Sequence, residues 1–87
     1  MIMVDEWRVW GGRRRSCHLT ADSENLEPLH RLAERIGLER AWFQPSSNHP
    51  HYDIMTFAGR ARALKLGVTF VPAKAQAVAR LFKRRTL

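Results

Sequence analysis

Segments with helical spacing alternate along this chain with short runs typical of strands, and this alternation constrains the fold more than any other feature. The clearest helical segment carries apolar residues at i, i+3, i+4 and i+7, and Gly37 follows as a terminator. The pattern predicts helices over Leu26–Ile36, Thr56–Leu66 and Ala73–Lys83, and strands over Ile2–Val4, Arg40–Phe43 and Val68–Val71. The order β-α-β-α-β-α predicts an α/β fold with a short, mainly parallel sheet and right-handed crossovers.

The sequence also predicts a hairpin in the N-terminal third and a basic tail after a single domain. Gly11 and Gly12 form a turn signal, so a β-hairpin from Trp7 to about Leu19 is possible. With only 87 residues, one hydrophobic core must serve the whole chain. We therefore expect a single α/β domain over residues 1–82 and a basic tail over residues 83–87.

Composition excludes several classes of protein. No apolar run approaches the ~20 residues of a membrane helix, so no membrane association is expected. The N-terminus carries no basic leader with an apolar segment, which argues against a secretory signal. Cys17 is the single cysteine, so no intrachain disulfide forms and a cytoplasmic location is expected. We expect Cys17 to be a small buried apolar residue rather than a nucleophile.

Basic residues exceed acidic ones by 15 to 8, for a net charge of +7. Clustered positive charge attracts polyanions by releasing condensed counterions, which favours nucleic acid or a nucleotide as the partner. A solvated basic surface is the alternative, since no known nucleic-acid-binding motif is present. The predicted nucleic-acid contacts are Arg13, Arg14, Arg15, Lys83, Arg84 and Arg85.

A series of short strings, in a fixed order and spacing, resembles a known family. The strings are Val4-Asp5, Cys17-His18-Leu19-Thr20-Ala21-Asp22, Leu29-His30, Ile36-Gly37-Leu38, Trp42-Phe43-Gln44, His51-Tyr52-Asp53, Arg62-Ala63-Leu64 and Leu66-Gly67-Val68. Together they resemble the small bacterial and phage family catalogued as domain of unknown function 4031. The resemblance runs from about Ile2 to Phe70, with a lengthened stretch before Leu29. It implies a shared fold and no particular activity.

Polar side chains in these strings suggest a site at one rim of the sheet. Ligands of α/β proteins collect where loops leave the carboxyl ends of strands, and Asp5 and Gln44 end two predicted strands. The predicted ligand-binding residues are Asp5, His18, His30, Gln44, His51, Tyr52 and Asp53. The alternative is that Asp5 and Asp53 only cap or tie down loops.

The histidines raise two chemical possibilities. His49, His51 and Asp53 are spaced so that an extended segment directs all three toward one ion, with His18 or His30 as a further ligand. The motif lacks a cysteine pair or a following histidine, so we expect no cofactor and no tight metal. The candidate catalytic residues are His18, His30 and His51, with His18 and His30 as acid and base on a phosphate ester. The alternative is that at least one of the four histidines is buried and bonded to a backbone carbonyl.

The leading functional hypothesis is a binding module that recognises a nucleotide or nucleic-acid phosphate through the His/Asp/Tyr site and the basic surface. The first alternative is a phosphoesterase or nuclease that uses the same histidines, with or without a metal. The second is a phage-type module whose basic surface docks on an acidic protein partner.

Overall fold

In the computed structural model, the described part of the chain comprises residues 1–45 and 48–85, with side chains described through Lys83. Its elements are β1 (Ile2–Val4), β2 (Arg8–Val9), β3 (Arg15–Ala21), α1 (Glu27–Arg35), a 3₁₀ turn (Arg40–Trp42), β4 (His51–Ile54), α2 (Phe57–Lys65), β5 (Thr69–Phe70) and α3 (Ala73–Arg85). The predicted α/β class is confirmed, and all three predicted helices form within two residues of their expected bounds. Helix α3 continues to Arg85, so the first three residues of the expected tail have helical backbone.

The sheet is mixed, which corrects the expectation of a mainly parallel one. Strand β1 pairs antiparallel with β3 and parallel with β5. Strand β3 also pairs antiparallel with β2 and with β4. The difference arises because β3, the second arm of the predicted N-terminal hairpin, is seven residues long and takes a central place. The hairpin itself is confirmed, with Gly11 at φ +79° in its turn.

The strand predicted at Arg40–Phe43 is wrong. Residues Arg40–Trp42 form a 3₁₀ turn in which Trp42 is exposed and Arg40 pairs with Glu27 at 3.1 Å. The strand lies later, at His51–Ile54, where buried and partly exposed residues alternate. This alternation is not evident in the sequence, because the polar residues His51 and Asp53 are not typical of strands.

The two faces of the sheet have opposite character. One face carries the core residues Val4, Cys17, Leu19, Tyr52 and Ile54, which pack with Leu29, Leu32, Ala33 and Ile36 of the α1 region and Ala63 of α2. Side chains alternate along a strand, so the residues between these core positions point to the other face. Helix α3 lies over that second face, where the Gln76 side chain meets Thr20 Oγ1 at 2.9 Å. The helices α1 and α2 therefore cover the apolar face, and α3 covers the polar one.

Cys17 lies fully buried in this core. Burial raises the pKa of its thiol to about 12, well above the ordinary range. Because the thiolate is the reactive form, a raised pKa keeps the group protonated and inert at pH 8. We expect iodoacetamide at pH 8 to leave the native protein unmodified and to alkylate Cys17 once urea unfolds the chain, as read by intact mass. Rapid alkylation under native conditions would contradict this placement.

Candidate functional site

The pairing of β3 with β4 brings polar residues from distant parts of the sequence together. His18 lies opposite Asp53 across this pair, and Thr20 lies opposite His51. His51 and Asp53 are two residues apart on β4, so they share the face that His18 occupies on β3. The register thus gathers two imidazoles and a carboxylate on the polar face of the sheet, between β3, β4 and helix α3.

Asp5 orients His18 from the end of β1. The Asp5 side chain is 2% exposed, accepts the backbone N–H of His18 at 2.7 Å, and lies 2.7 Å from its Nδ1. This hydrogen bond raises the pKa of His18, against the opposing effect of partial burial. A carboxylate only accepts hydrogen bonds, so Nδ1 carries the proton and the Nε2 lone pair of the neutral ring is left available. The Arg60 side chain donates to the Asp5 carbonyl at 3.2 Å.

His51 and Asp53 are held in a similar way. The Nδ1 of His51 lies 2.7 Å from the carbonyl oxygen of His49, to which it donates. The Nε2 of His51 lies 3.4 Å from Asp53 Oδ1, and the Nε2 of His18 lies 3.9 Å from the same oxygen. The other carboxylate oxygen of Asp53 accepts from Gln44 Nε2 at 2.6 Å. Among the described residues, the donor atoms of His18, His51 and Asp53 lie within 4.8 Å of one another.

His49 lies beside this site, with its ring packed against the imidazoles of His18 and His51. It stacks on His51 with ring centroids 4.9 Å apart, and contacts His18 edge to face at 5.4 Å. Burial, with the nearby Arg80 cation, lowers the pKa of His49 to about 4. The ring is therefore neutral at pH 7, and its nitrogens are not among the converging donor atoms.

Two predicted site residues, His30 and Tyr52, lie on the opposite face of the sheet. The Tyr52 hydroxyl is 2.6 Å from His30 Nδ1, and the ring of Phe43 lies 4.7 Å from that of His30. Tyr52 is fully buried, and burial raises the pKa of its hydroxyl. The structure thus brings Asp5, His18, Gln44, His51 and Asp53 together and places His30 and Tyr52 within the core.

A groove of about 400 Å³ runs between this cluster and helix α3. Trp10 lines one side of the groove. Its ring contacts that of His18 edge to face, with centroids 4.7 Å apart, and the Arg8 guanidinium carbon lies over the Trp10 ring, 3.8 Å from its centroid. Lys74 and Arg80 line the other side from α3. Neither cation is among the site residues that the sequence predicts. They lie six residues apart, which is not the spacing of neighbours on one helix face, and no pattern in the sequence says that this part of α3 turns toward the sheet.

The predicted nucleic-acid contacts lie mostly outside this groove. Arg13, Arg14 and Arg15 are exposed at the turn of the β2–β3 hairpin, whose base is held by Trp10 donating to the Ser16 carbonyl. Lys83 is exposed near the end of α3. The side chains of Arg84 and Arg85 lie outside the described residues.

A family model described as protein of unknown function (DUF4031) matches residues 2–84. The chain belongs to this family. The match confirms the resemblance found in the sequence, and it extends beyond Phe70 to include helix α3. No curated protein and no solved structure matches the chain. Within the described residues of this DUF4031 protein, no helix is long and apolar enough to cross a membrane.

Proposed function

We propose that this DUF4031 protein binds the phosphate of a nucleotide or nucleic acid in the groove between the polar face of the sheet and helix α3. The observation that carries this proposal is the position of Lys74 and Arg80, two cations that line the groove opposite Trp10. The volume of about 400 Å³ lies within the range of small-ligand sites. This phosphate site is compatible with the cytoplasmic location that the single cysteine predicts.

The groove offers two kinds of contact that a nucleotide needs. Lys74 and Arg80 supply charge for phosphate oxygens, and Arg is suited to bind two of them at once. Trp10 offers a flat ring of the kind on which bases stack, next to the Arg8 cation. Exposed Arg13, Arg14 and Arg15 would extend the positive surface for a longer strand.

Binding should be weak, tolerant of sequence and strongly dependent on salt. Lys74→Gln and Arg80→Gln should each weaken the binding of a fluorescent oligonucleotide severalfold. Each should also reduce the slope of log K against log salt by about 0.7–0.9 if one phosphate contact is lost. Fluorescence anisotropy across a salt series measures both quantities, with single-stranded and double-stranded DNA and with a labelled mononucleotide.

Arg35→Gln is the matched control, because it removes the same charge from an exposed position on α1, over the opposite face. It should leave the affinity nearly unchanged. An equal effect of Arg35→Gln would mean that total charge, not the groove, attracts the ligand. No binding at about 50 mM salt would refute the proposal and favour the acidic protein partner.

Hydrolysis of the bound ester is a second candidate function, and the Asp5–His18 pair favours it. A carboxylate that orients an imidazole is the arrangement of a general base. The His18 side chain lines the groove, and its Nε2 lies on the polar face of the sheet, 3.9 Å from Asp53 Oδ1. Release of nitrophenolate from bis(p-nitrophenyl) phosphate by the wild type, abolished in Asp5→Asn, would support the enzyme. Activity that survives this substitution would exclude His18 as the base.

A further inference from the structure

We propose that His18, His51 and Asp53 form a binding site for one divalent transition-metal ion of the zinc class. Their donor atoms converge on the polar face, at 3.4 Å and 3.9 Å between each Nε2 and Asp53 Oδ1. An ion about 2.0–2.2 Å from each of three ligands separates those ligands by about 3.0–3.5 Å. Small side-chain rotations would therefore bring all three donors to coordination distance.

The protonation pattern of the two imidazoles suits a metal. His18 donates from Nδ1 to the Asp5 carboxylate, and His51 donates from Nδ1 to the His49 carbonyl. In its neutral form, each ring presents an Nε2 lone pair toward Asp53. Histidine ligands of metals characteristically donate their second N–H to a carboxylate or a backbone carbonyl in this way.

Asp53 is oriented as well. Gln44 donates to Oδ2 at 2.6 Å, which leaves Oδ1 directed at the two imidazoles. The Asp53 side chain is 37% exposed, so an ion can enter from solvent. Three protein ligands leave further coordination positions for water or a ligand, as in catalytic rather than structural sites.

The donor set indicates the class of ion. Two imidazole nitrogens and one carboxylate oxygen suit Zn²⁺, Fe²⁺, Ni²⁺ or Cu²⁺, whereas Mg²⁺ and Ca²⁺ require mostly oxygen ligands. The carboxylates of Asp5 and Asp53 offset the charge of the ion. No cysteine takes part, since Cys17 is buried on the other face.

This site differs from the one that the spacing suggested. The spacing favours His49, His51 and Asp53 as ligands, with His18 or His30 as a further ligand, and it predicts no tight metal. Among the described residues, the converging donor atoms are those of His18, His51 and Asp53, and His49 contributes its carbonyl as a support for His51. The metal site shares His18 with the lining of the groove, but it does not depend on phosphate binding, since neither Lys74 nor Arg80 takes part in it.

The test is calorimetric titration of untagged protein with Zn²⁺, repeated with Mg²⁺, for the wild type and three variants. We expect one equivalent of Zn²⁺ in the wild type and no comparable binding of Mg²⁺. His51→Ala and Asp53→Asn should each weaken Zn²⁺ binding by more than about 100-fold, because losing a ligand exceeds the 10–100-fold effect of losing a supporting group. Glu34→Gln is the matched control, because it removes an exposed carboxylate from α1, over the opposite face of the sheet, and it should stay within a few-fold of the wild type.

Circular dichroism establishes whether each variant is folded. If His51→Ala does not fold, Asp53→Asn still tests the site, because residue 53 is partly exposed and its substitution should not disturb the core. Absence of stoichiometric Zn²⁺ binding in the wild type would overturn the proposal. Binding that survives Asp53→Asn, or that Glu34→Gln removes equally, would overturn it too.

Discussion

Replacing Asp5 with alanine should destabilise the protein by about 3–5 kcal/mol, because it leaves the partners of a buried charged group unpaired. The His18 backbone N–H and its Nδ1 both lose their acceptor, and each lies 2.7 Å from Asp5 in the native structure. Urea unfolding followed by circular dichroism measures the change in the free energy of unfolding. Stability equal to that of the wild type would mean that Asp5 does not hold this part of the structure.

Asp5→Asn separates the structural role of this side chain from its control of the His18 proton. The amide keeps the size of the carboxyl, and its oxygen can still accept the His18 backbone N–H. Its NH₂ group donates to Nδ1 and so moves the ring proton to Nε2, which removes the lone pair. We expect a smaller loss of stability than for alanine, together with a 10–100-fold weaker affinity for Zn²⁺.

Tyr52→Phe should cost about 1–3 kcal/mol of stability, because it leaves His30 Nδ1 without its partner in the core. The hydroxyl lies 2.6 Å from that nitrogen, and the Tyr52 ring is fully buried. Since both side chains lie on the face opposite the groove, Zn²⁺ and oligonucleotide affinities should not change. The measurements are urea unfolding and the two titrations described above.

Asp53→Asn provides the reciprocal control for Tyr52→Phe. Asp53 is partly exposed on the polar face, so its substitution should lower Zn²⁺ affinity while stability changes by about 0.5 kcal/mol or less. If Tyr52→Phe weakened ligand binding instead of the fold, the division between a core face and a site face would be wrong.

The elements with strong local signals could be predicted from the sequence. Helix α1 follows from the apolar spacing of Leu29, Leu32 and Ile36 and ends at Gly37, which has φ +94°. Strand β4 could not be recognised, since two of its four residues are polar and only the fold shows which face they occupy. The prediction of Arg40–Phe43 as a strand failed because an aromatic run can also pack as a turn with Trp42 in solvent.

The residue types of the candidate site could be predicted from the sequence, but which of these residues lie together could not. Spacing on one strand placed His51 and Asp53 together, and that much is local information. The partnership with His18 depends on the antiparallel register of β3 and β4, which pairs residues 35 positions apart. The separation of His30 and Tyr52 from the others follows from which face of β4 is buried. Both are long-range properties that no short motif encodes.

The proposed metal site requires the polar face to present two imidazole Nε2 lone pairs to Asp53. Long-range ¹H–¹⁵N NMR of labelled protein at alkaline pH reports the proton position in each histidine directly, and the four rings provide their own controls. We predict Nδ1–H rings for His18 and His51, with the Nε2 signals of both moving on addition of one equivalent of Zn²⁺ while those of His30 stay unchanged. Nε2–H rings at His18 and His51, or a Zn²⁺ response as large at His30, would contradict it.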